Sequence, residues 1–274
     1  MSMVINTNIG AMNAVRIMDQ TSREAATAAE RLTSGQRING ASDDAAGLAI
    51  ATKMDSQIRG TEMAINHAND GVSLVQTLDG ASEEVVEMLQ RMRELAVQST
   101  SGTYTDNDRA HMDTEFTALA AEITRIGQTT EFNDTNILGS GAGTTDIQVD
   151  WQDTTNGKIS ITTFDFESLG ATASAFSLGT AGSAGGTLVK IDSAIKGLGD
   201  QRAEWGATQN RLEHTINNLQ NVNENMTAAK SRIVDADFAA ESANLAKTQV
   251  LQQAGMSMLA KANQAPQQVM QLLQ

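Results

Sequence analysis

Apolar residues recur at alternating steps of three and four through most of this chain. The longest run passes through Leu188, Ile191, Ile195, Leu198, Arg202, Trp205, Gln209, Leu212, Ile216, Leu219, Asn223, Met226, Lys230 and Ile233 without a break, and ten of the fourteen are apolar. Heptad spacing of that length predicts a long coiled-coil-like helix. A second stripe, Ala51, Met54, Ile58, Thr61, Ile65, Ala68, Val72 and Val75, resumes in a shifted register at Leu78, Val85, Met88, Met92 and Leu95. Such a shift alters supercoiling locally, and Asp79-Gly80 marks a candidate break. A third helix is predicted after "STSGTYTD", with Thr105 as N-cap, Asp106 and Asp108 in the first turn, and the stripe Met112, Phe116, Leu119, Ile123, Ile126. A fourth, near the start, reads Ala11, Val15, Met18, Ser22, Ala25, Ala29, Leu32, a thinner stripe made mostly of alanine.

From Gly139 to Gly186 the pattern changes and Gly, Ser and Thr dominate. Within that stretch "DIQVDW" places Ile147, Val149 and Trp151 on one face, and "KISITTF" follows "QDTTNG". Period-two alternation on either side of Asn156-Gly157 predicts a β-hairpin closed by a tight turn. The remaining "GATASAFSLGTAGSAGG" reads as exposed loop.

The last residues raise a question of burial. Leu251, Gly255, Met258, Ala262, Ala265, Val269 and Leu272 form one heptad stripe, while Val250, Ala254, Leu259 and Met270 put further apolar groups on other faces. Pairing the two end segments buries one stripe and exposes the others. Contiguous apolar surface of this kind marks an interaction site, and repeated contacts that do not close a ring build filaments.

Together these patterns predict a mainly α fold: an elongated antiparallel coiled-coil helical bundle, with a small β-hairpin region at the point of reversal and the N- and C-terminal helices paired. Composition supports long helices. Pro266 is the single proline, aromatics are only 3% of the residues, and Ala, Leu, Ile, Val and thirteen Met supply the apolar volume. At ~1.5 Å per residue, a helix of roughly fifty residues runs about 75 Å.

Charge and chemistry then exclude several functions. The net charge of −14 includes no run of Lys or Arg, which argues against nucleic acid. Residues 1–42 and 233–274 are nearly neutral, so the middle carries the acidity. Without cysteine there are no disulfides, thiolate metal sites or thiol nucleophiles. The start "MSMVINTNIG" has neither the basic nor the apolar region of a cleaved signal, and no apolar stretch is long enough to span a membrane. His67, His111 and His214 are isolated, "LGSGAGTTD" lacks the lysine of a phosphate loop, and "DWQDTTNG" does not match a calcium loop. Asp43 and Asp44 beside Ser42 are explained as a helix start. No catalytic, cofactor-binding or metal-ligating set is expected, and a secreted enzyme on a helical scaffold lacks its polar constellation.

The motifs "VINTNIGAMNA", "ERLTSGQRINGASDDAAGLAIA", "NDGVSLVQTLDGA", "LQRMRELAVQS" and "EFNDTNIL" occur in order, followed near the end by "GATQNRLEHTINNL" and "AAKSRIVDADFAAESANLAKTQVLQQAGMSMLAKANQAPQQVMQLL". In these segments, which cover most of 1–140 and 188–274, the chain resembles bacterial flagellin, the subunit of the flagellar filament. The resemblance implies an inner terminal coiled-coil domain of 1–44 with 234–274, disordered in the free subunit and paired in the filament. It also implies a rod-like helical domain of 45–233 including the hairpin region at about 140–187, and no large outer domain. The implied function is mechanical: a structural subunit that polymerises into a helical propeller for swimming, located outside the cell. The alternative is a hook–filament junction protein.

The same resemblance implies partners. The first is the chain itself, with neighbouring subunits covering Val4, Ile5, Ile9, Val15, Leu32, Leu251, Met258, Leu259, Val269 and Leu272. The flagellar type III export apparatus and a flagellin chaperone, the filament cap and the hook-junction proteins follow. An animal toll-like flagellin receptor is a further partner, with recognition carried over to Arg91, Leu95 and Glu115 and expected for the monomer but not the filament. Neither a cofactor, nucleic acid nor a membrane is implied.

Overall fold

A computed structural model describes residues 7–139, 143–152 and 154–272. Its helices are α1 (Ile9–Ser34), α2 (Ala45–Thr100), α3 (Asp106–Thr129), α4 (Phe166–Ser174), α5 (Ala181–Val234) and α6 (Phe238–Leu272). Its strands are β1 (Glu131–Phe132), β2 (Thr135–Asn136), β3 (Thr144–Gln148) and β4 (Lys158–Thr162). The chain forms two compact units, one of residues 1–56 with 225–274 and one of residues 57–224. These limits fall several helical turns beyond the 44/45 and 233/234 boundaries expected above, inside α2 and α5.

In the larger unit α2 and α5 run antiparallel. Arg202 Nε donates to Asp79 Oδ1 at 2.7 Å and Arg93 Nε to Asp192 Oδ1 at 2.6 Å, so the register is kept across several turns. Every one of the fourteen heptad positions from Leu188 to Ile233 is buried or half-buried, as the spacing predicted. Asp79-Gly80 does not break α2, which continues to Thr100. The i to i−4 backbone bonds on both sides of one glycine outweigh its unfavourable propensity of about 1 kcal/mol.

α3 starts where the sequence places it. Thr105 and Asp108 form a reciprocal capping box: the Asp108 amide donates to Thr105 Oγ1, and the Thr105 amide donates to the Asp108 carboxylate at 2.9 Å. Arg109, buried in the first turn, closes the preceding loop by donating to the carbonyl oxygens of Ser99, Ser101 and Tyr104. A planar fork of donors suits three converging carbonyls, which a lysine cannot match. Met112, Phe116 and Ile123 enter a core that also holds Leu78, Leu89, Met92, Phe166, Leu198 and Trp205.

The middle segment departs from expectation twice. β3 and β4 do pair antiparallel, with Ile147 opposite Ile159, but segment 149–157 connects them through a 3₁₀ turn at Thr155–Gly157. Asn156-Gly157 therefore does not close a two-residue hairpin. The tight turn lies earlier, at Asn133-Asp134, where both residues have positive φ (51° and 59°) between β1 and β2.

The stretch expected as exposed loop is instead the end of α4, a short connection anchored by Leu178 and the start of α5, although most of its residues are exposed as expected. Phe166, Ala173, Leu178 and Ala184 are buried, and Leu178 is held by its amide donating to Asp113 Oδ1 and its carbonyl accepting from Ser99 Oγ. Small residues are needed because α3 and α4 approach closely. A Cβ on Gly127 would stand 2.6 Å from the Glu167 backbone nitrogen, and one on Gly170 would stand 2.7 Å from the Thr124 backbone nitrogen. Low side-chain volume at Gly127 and Gly170 thus reflects tight packing, whereas Gly182, Gly185 and Gly186 have open space around them.

In the smaller unit α1 and α6 lie antiparallel. Asn8 caps α1 by accepting from the Ala11 amide and also donates to the Ala262 carbonyl at 2.7 Å. At the other end Gly35 takes a left-handed conformation (φ 71°), and backbone bonds run from Ala236 to Gly35 and from Arg37 to Val234. Asp44 accepts from the Gly47 amide at the start of α2, while Asp43 accepts from the Asn39 and Gly40 amides. The paired aspartates are thus fully explained as loop and helix-start residues.

Candidate assembly surface

The seam between α1 and α6 is built mostly from small and polar side chains, with Met18, Leu245 and Leu259 among them. On α1 it follows Ala11, Ala14, Met18, Thr21, Ala25, Ala28 and Arg31; on α6 it follows Glu241, Leu245, Thr248, Gln252, Gly255, Leu259 and Ala262. Both sets keep mainly three- and four-residue steps, so they are helix faces that look at each other. Met18 lies alongside Gly255, and Arg31 Nη1 stands 3.5 Å from Glu241 Oε1. Alanine and glycine at these positions let the helices sit close and leave little apolar area to bury between them.

Apart from Met18, Leu245 and Leu259 at the seam and the half-buried Leu32, the larger apolar side chains described on α1 and α6 lie outside it. Ile9 (67% exposed), Met12, Val15 and Ile17 on α1, and Phe238, Val250, Leu251, Met256 and Met258 (61% exposed) on α6, are open to solvent in the single chain. Of the residues expected to meet neighbouring subunits, Ile9, Val15, Leu251 and Met258 are therefore on the outer faces. Leu32 and Leu259 are half-buried, with Leu259 at a seam position. Val4 and Ile5 lie outside the described residues, as do the side chains of Val269 and Leu272.

The sequence stripe through Leu251 and Met258 runs along the edge of the seam: its Gly255 and Ala262 meet α1, whereas Leu251 and Met258 lie outside. Gly255 and Ala262 of the seam were in the stripe, but Thr248 and Gln252 were missed because they are polar and carry no hydrophobic signal. Nothing in their residue types distinguishes them from a solvated face.

In the larger unit Arg91 and Glu115 face each other from α2 and α3. Arg91 Nε donates to Glu115 Oε1 at 2.9 Å and its Nη1 to Glu94 Oε2 at 3.0 Å, with both partners of the first bond about half exposed. The Glu115 bond, then the Glu94 bond, raise the guanidinium's hold on its proton. Leu95, one turn along, is 2% exposed and belongs to the core. It supports this face from beneath and does not present itself on the surface.

Among the described residues no three His, Cys, Asp or Glu side chains gather where they would hold a metal ion, and no helix is long and apolar enough to cross a membrane. What the fold does offer is a pair of end helices whose apolar flanks exceed what they bury in each other. These features define a self-associating helical structural protein.

Comparison with known proteins gives that class its family. Residues 5–143 match the bacterial flagellin N-terminal helical region and residues 188–273 the bacterial flagellin C-terminal helical region. The chain is 45% identical over 271 residues to a flagellin of Halalkalibacterium halodurans, covering 99% of this chain and all of that one. It is 41% identical over 304 residues to the flagellin of Bacillus subtilis, again covering 99% and all of the two chains. A solved structure of a putative flagellar hook-associated protein from Vibrio parahaemolyticus aligns with 70% of this chain and all of that one at a TM-score of 0.58; at 13% identity the likeness is one of fold alone. The chain belongs to the bacterial flagellins. It is a structural subunit of the extracellular flagellar filament that serves motility, and not an enzyme. The hook–filament junction alternative gains no support.

Proposed function

We propose that the outer faces of α1 and α6 are the contacts by which one subunit is held among its neighbours in the filament, and that these helices complete their burial only on assembly. The observation that carries this is the make-up of the pair: mostly small and polar side chains at the seam, with Ile9, Val15, Leu251 and Met258 outside it. An apolar side chain such as Leu contributes about 1.5–3 kcal/mol when fully buried, so leaving this set in water forgoes a large fraction of a typical domain's stability. A segment that cannot bury enough apolar area alone gains order when partners supply it.

The test is seeded elongation of purified chain, full length against a version lacking residues 234–274, followed by sedimentation and negative-stain microscopy. The reading requires long filaments from the full-length chain only. Equal elongation by both would reject it.

A second reading, recognition of the free subunit by a toll-like flagellin receptor, is favoured by the exposed Arg91–Glu115 pair on adjoining helices. Leu95 then acts by supporting the position of α2. A receptor reporter assay with purified monomer, compared with intact filament, tests it: silence towards the monomer rejects the reading. Passage through the type III export channel with a flagellin chaperone, and contact with the filament cap and hook-junction proteins, rest on family membership alone.

A further inference from the structure

Thioethers are conspicuous on the outer faces of the end helices. Among the described residues four methionines are exposed, and three of them, Met12, Met256 and Met258, belong to the α1–α6 pair; the fourth is Met63 on α2. By contrast, Met92 and Met112 are buried in the core of the larger unit.

The three lie at one level along the pair. The Asn8–Ala262 hydrogen bond and the Met18–Gly255 approach fix the antiparallel register on either side of Met12, which sets it level with the turn of α6 that carries Met256 and Met258. On α6, Met256 follows the seam residue Gly255 and Met258 precedes the seam residue Leu259. At 100° per residue they flank the seam on opposite sides. Met12 follows the seam residue Ala11 in the same way. A single band around the helix pair therefore carries three exposed methionines.

We infer that Met12, Met256 and Met258 are oxidation sites that control assembly, with a peroxide as the oxidant: sulfoxidation of the free subunit blocks its entry into the filament, and assembly shields the same sulfurs. This rests on the proposal that the outer faces are covered by neighbouring subunits. Each event is a two-electron oxygen transfer, in which the peroxide O–O bond breaks, an S=O bond forms, the thioether is oxidised and water leaves. The product replaces a flexible apolar side chain with a polar acceptor. An acceptor carried into an apolar contact without a donor opposes burial, whereas the same group on a free subunit remains hydrated. Because the three methionines are exposed and none is a seam residue, sulfoxidation leaves the seam contacts in place.

The experiment treats full-length subunits and preformed filaments with hydrogen peroxide, maps sulfoxides by peptide mass spectrometry, and measures seeded elongation. Treated wild-type subunits are expected to elongate at least about tenfold more slowly, because each buried sulfoxide lacks a donor. The triple variant M12L, M256L, M258L keeps apolar volume and has no sulfur at these positions, so it elongates equally with and without treatment. Retained sensitivity in that variant, or normal elongation of wild type with all three residues oxidised, overturns the inference. Should the variant elongate slowly even untreated, enzymatic reduction of treated wild-type subunits decides: recovery supports control by sulfoxidation, and persistent arrest overturns it. A separate outcome bears on the assembly reading itself. If the three residues oxidise as fast in filaments as in free subunits, neighbours do not cover this band.

Discussion

Trp205 Nε1 donates to the carbonyl oxygen of Thr162 at 2.6 Å, which ties the middle of α5 to the end of β4. The indole is fully buried and its one polar atom is satisfied by the Thr162 carbonyl, which also accepts from Gln201 Nε2 one turn earlier on α5. Large aromatic volume and a directional bond are thus combined in a chain with only two tryptophans.

Trp205→Phe is expected to lower stability by about 1–3 kcal/mol through the lost donor and the volume left behind. Urea denaturation gives the magnitude. Fluorescence gives the location, because Trp151 alone remains and is 41% exposed, so the folded-state emission shifts to the red.

Two glycines in long helices are expected to respond oppositely to alanine. Nothing lies within 4 Å of a Cβ built on Gly80, so Gly80→Ala stabilises α2 by about 1 kcal/mol. At Gly127 the new methyl would stand 2.6 Å from the Glu167 backbone nitrogen and 3.1 Å from the Phe166 carbonyl carbon. Overpacking costs about 1–3 kcal/mol and outweighs the same propensity gain, so Gly127→Ala destabilises. Thermal unfolding of the two variants should move in opposite directions.

Acid should loosen the start of α3 through Asp108. Hydrogen bonds from the Thr105 amide, then from its hydroxyl, hold this carboxyl below its ordinary value of 3.8. A depressed carboxylate contributes stability that is fully present above 3.8 and is lost as pH falls through the lower folded value. Asp108→Asn cannot titrate there, so amide exchange in the first turn of α3 should depend less on pH below 4 in the variant than in the parent. An unchanged dependence would assign the acid response to other carboxylates.

Arg91 and Leu95 sit one turn apart and are expected to behave differently. Leu95→Ala removes a core side chain and should cost about 2–5 kcal/mol. Arg91→Ala breaks only exposed ion pairs and should leave the urea midpoint essentially unchanged. Any effect of Arg91→Ala on receptor signalling can then be assigned to the surface, whereas loss with Leu95→Ala includes a folding effect.

Legibility in the sequence followed the side-chain chemistry. Heptads of large apolar residues announced α2, α3 and α5 because those residues are the ones buried, and Thr105 announced the start of α3 because a hydroxyl at that position has one job. α4 was hidden: Gly170 and Ala173 are small for the sake of close packing, and small residues in a row look the same as a flexible connection. Part of the α6 seam was hidden for the converse reason, since Thr248 and Gln252 face the partner helix while Leu251 and Met258 lie outside it. Periodicity finds apolar faces but does not say which neighbour covers each one.

The backbone bridge between Gln36 and Asp235 also sets an order in time. Arg37 and Ile233, which reinforce it, are 196 positions apart. At synthesis rates of about 5–20 residues per second, the early strand of this latch leaves the ribosome roughly ten to forty seconds before its counterpart. During that interval α1 has no α6 to pair with. The smaller unit is consequently the last part of a nascent chain able to close, whatever the speed at which the larger one folds.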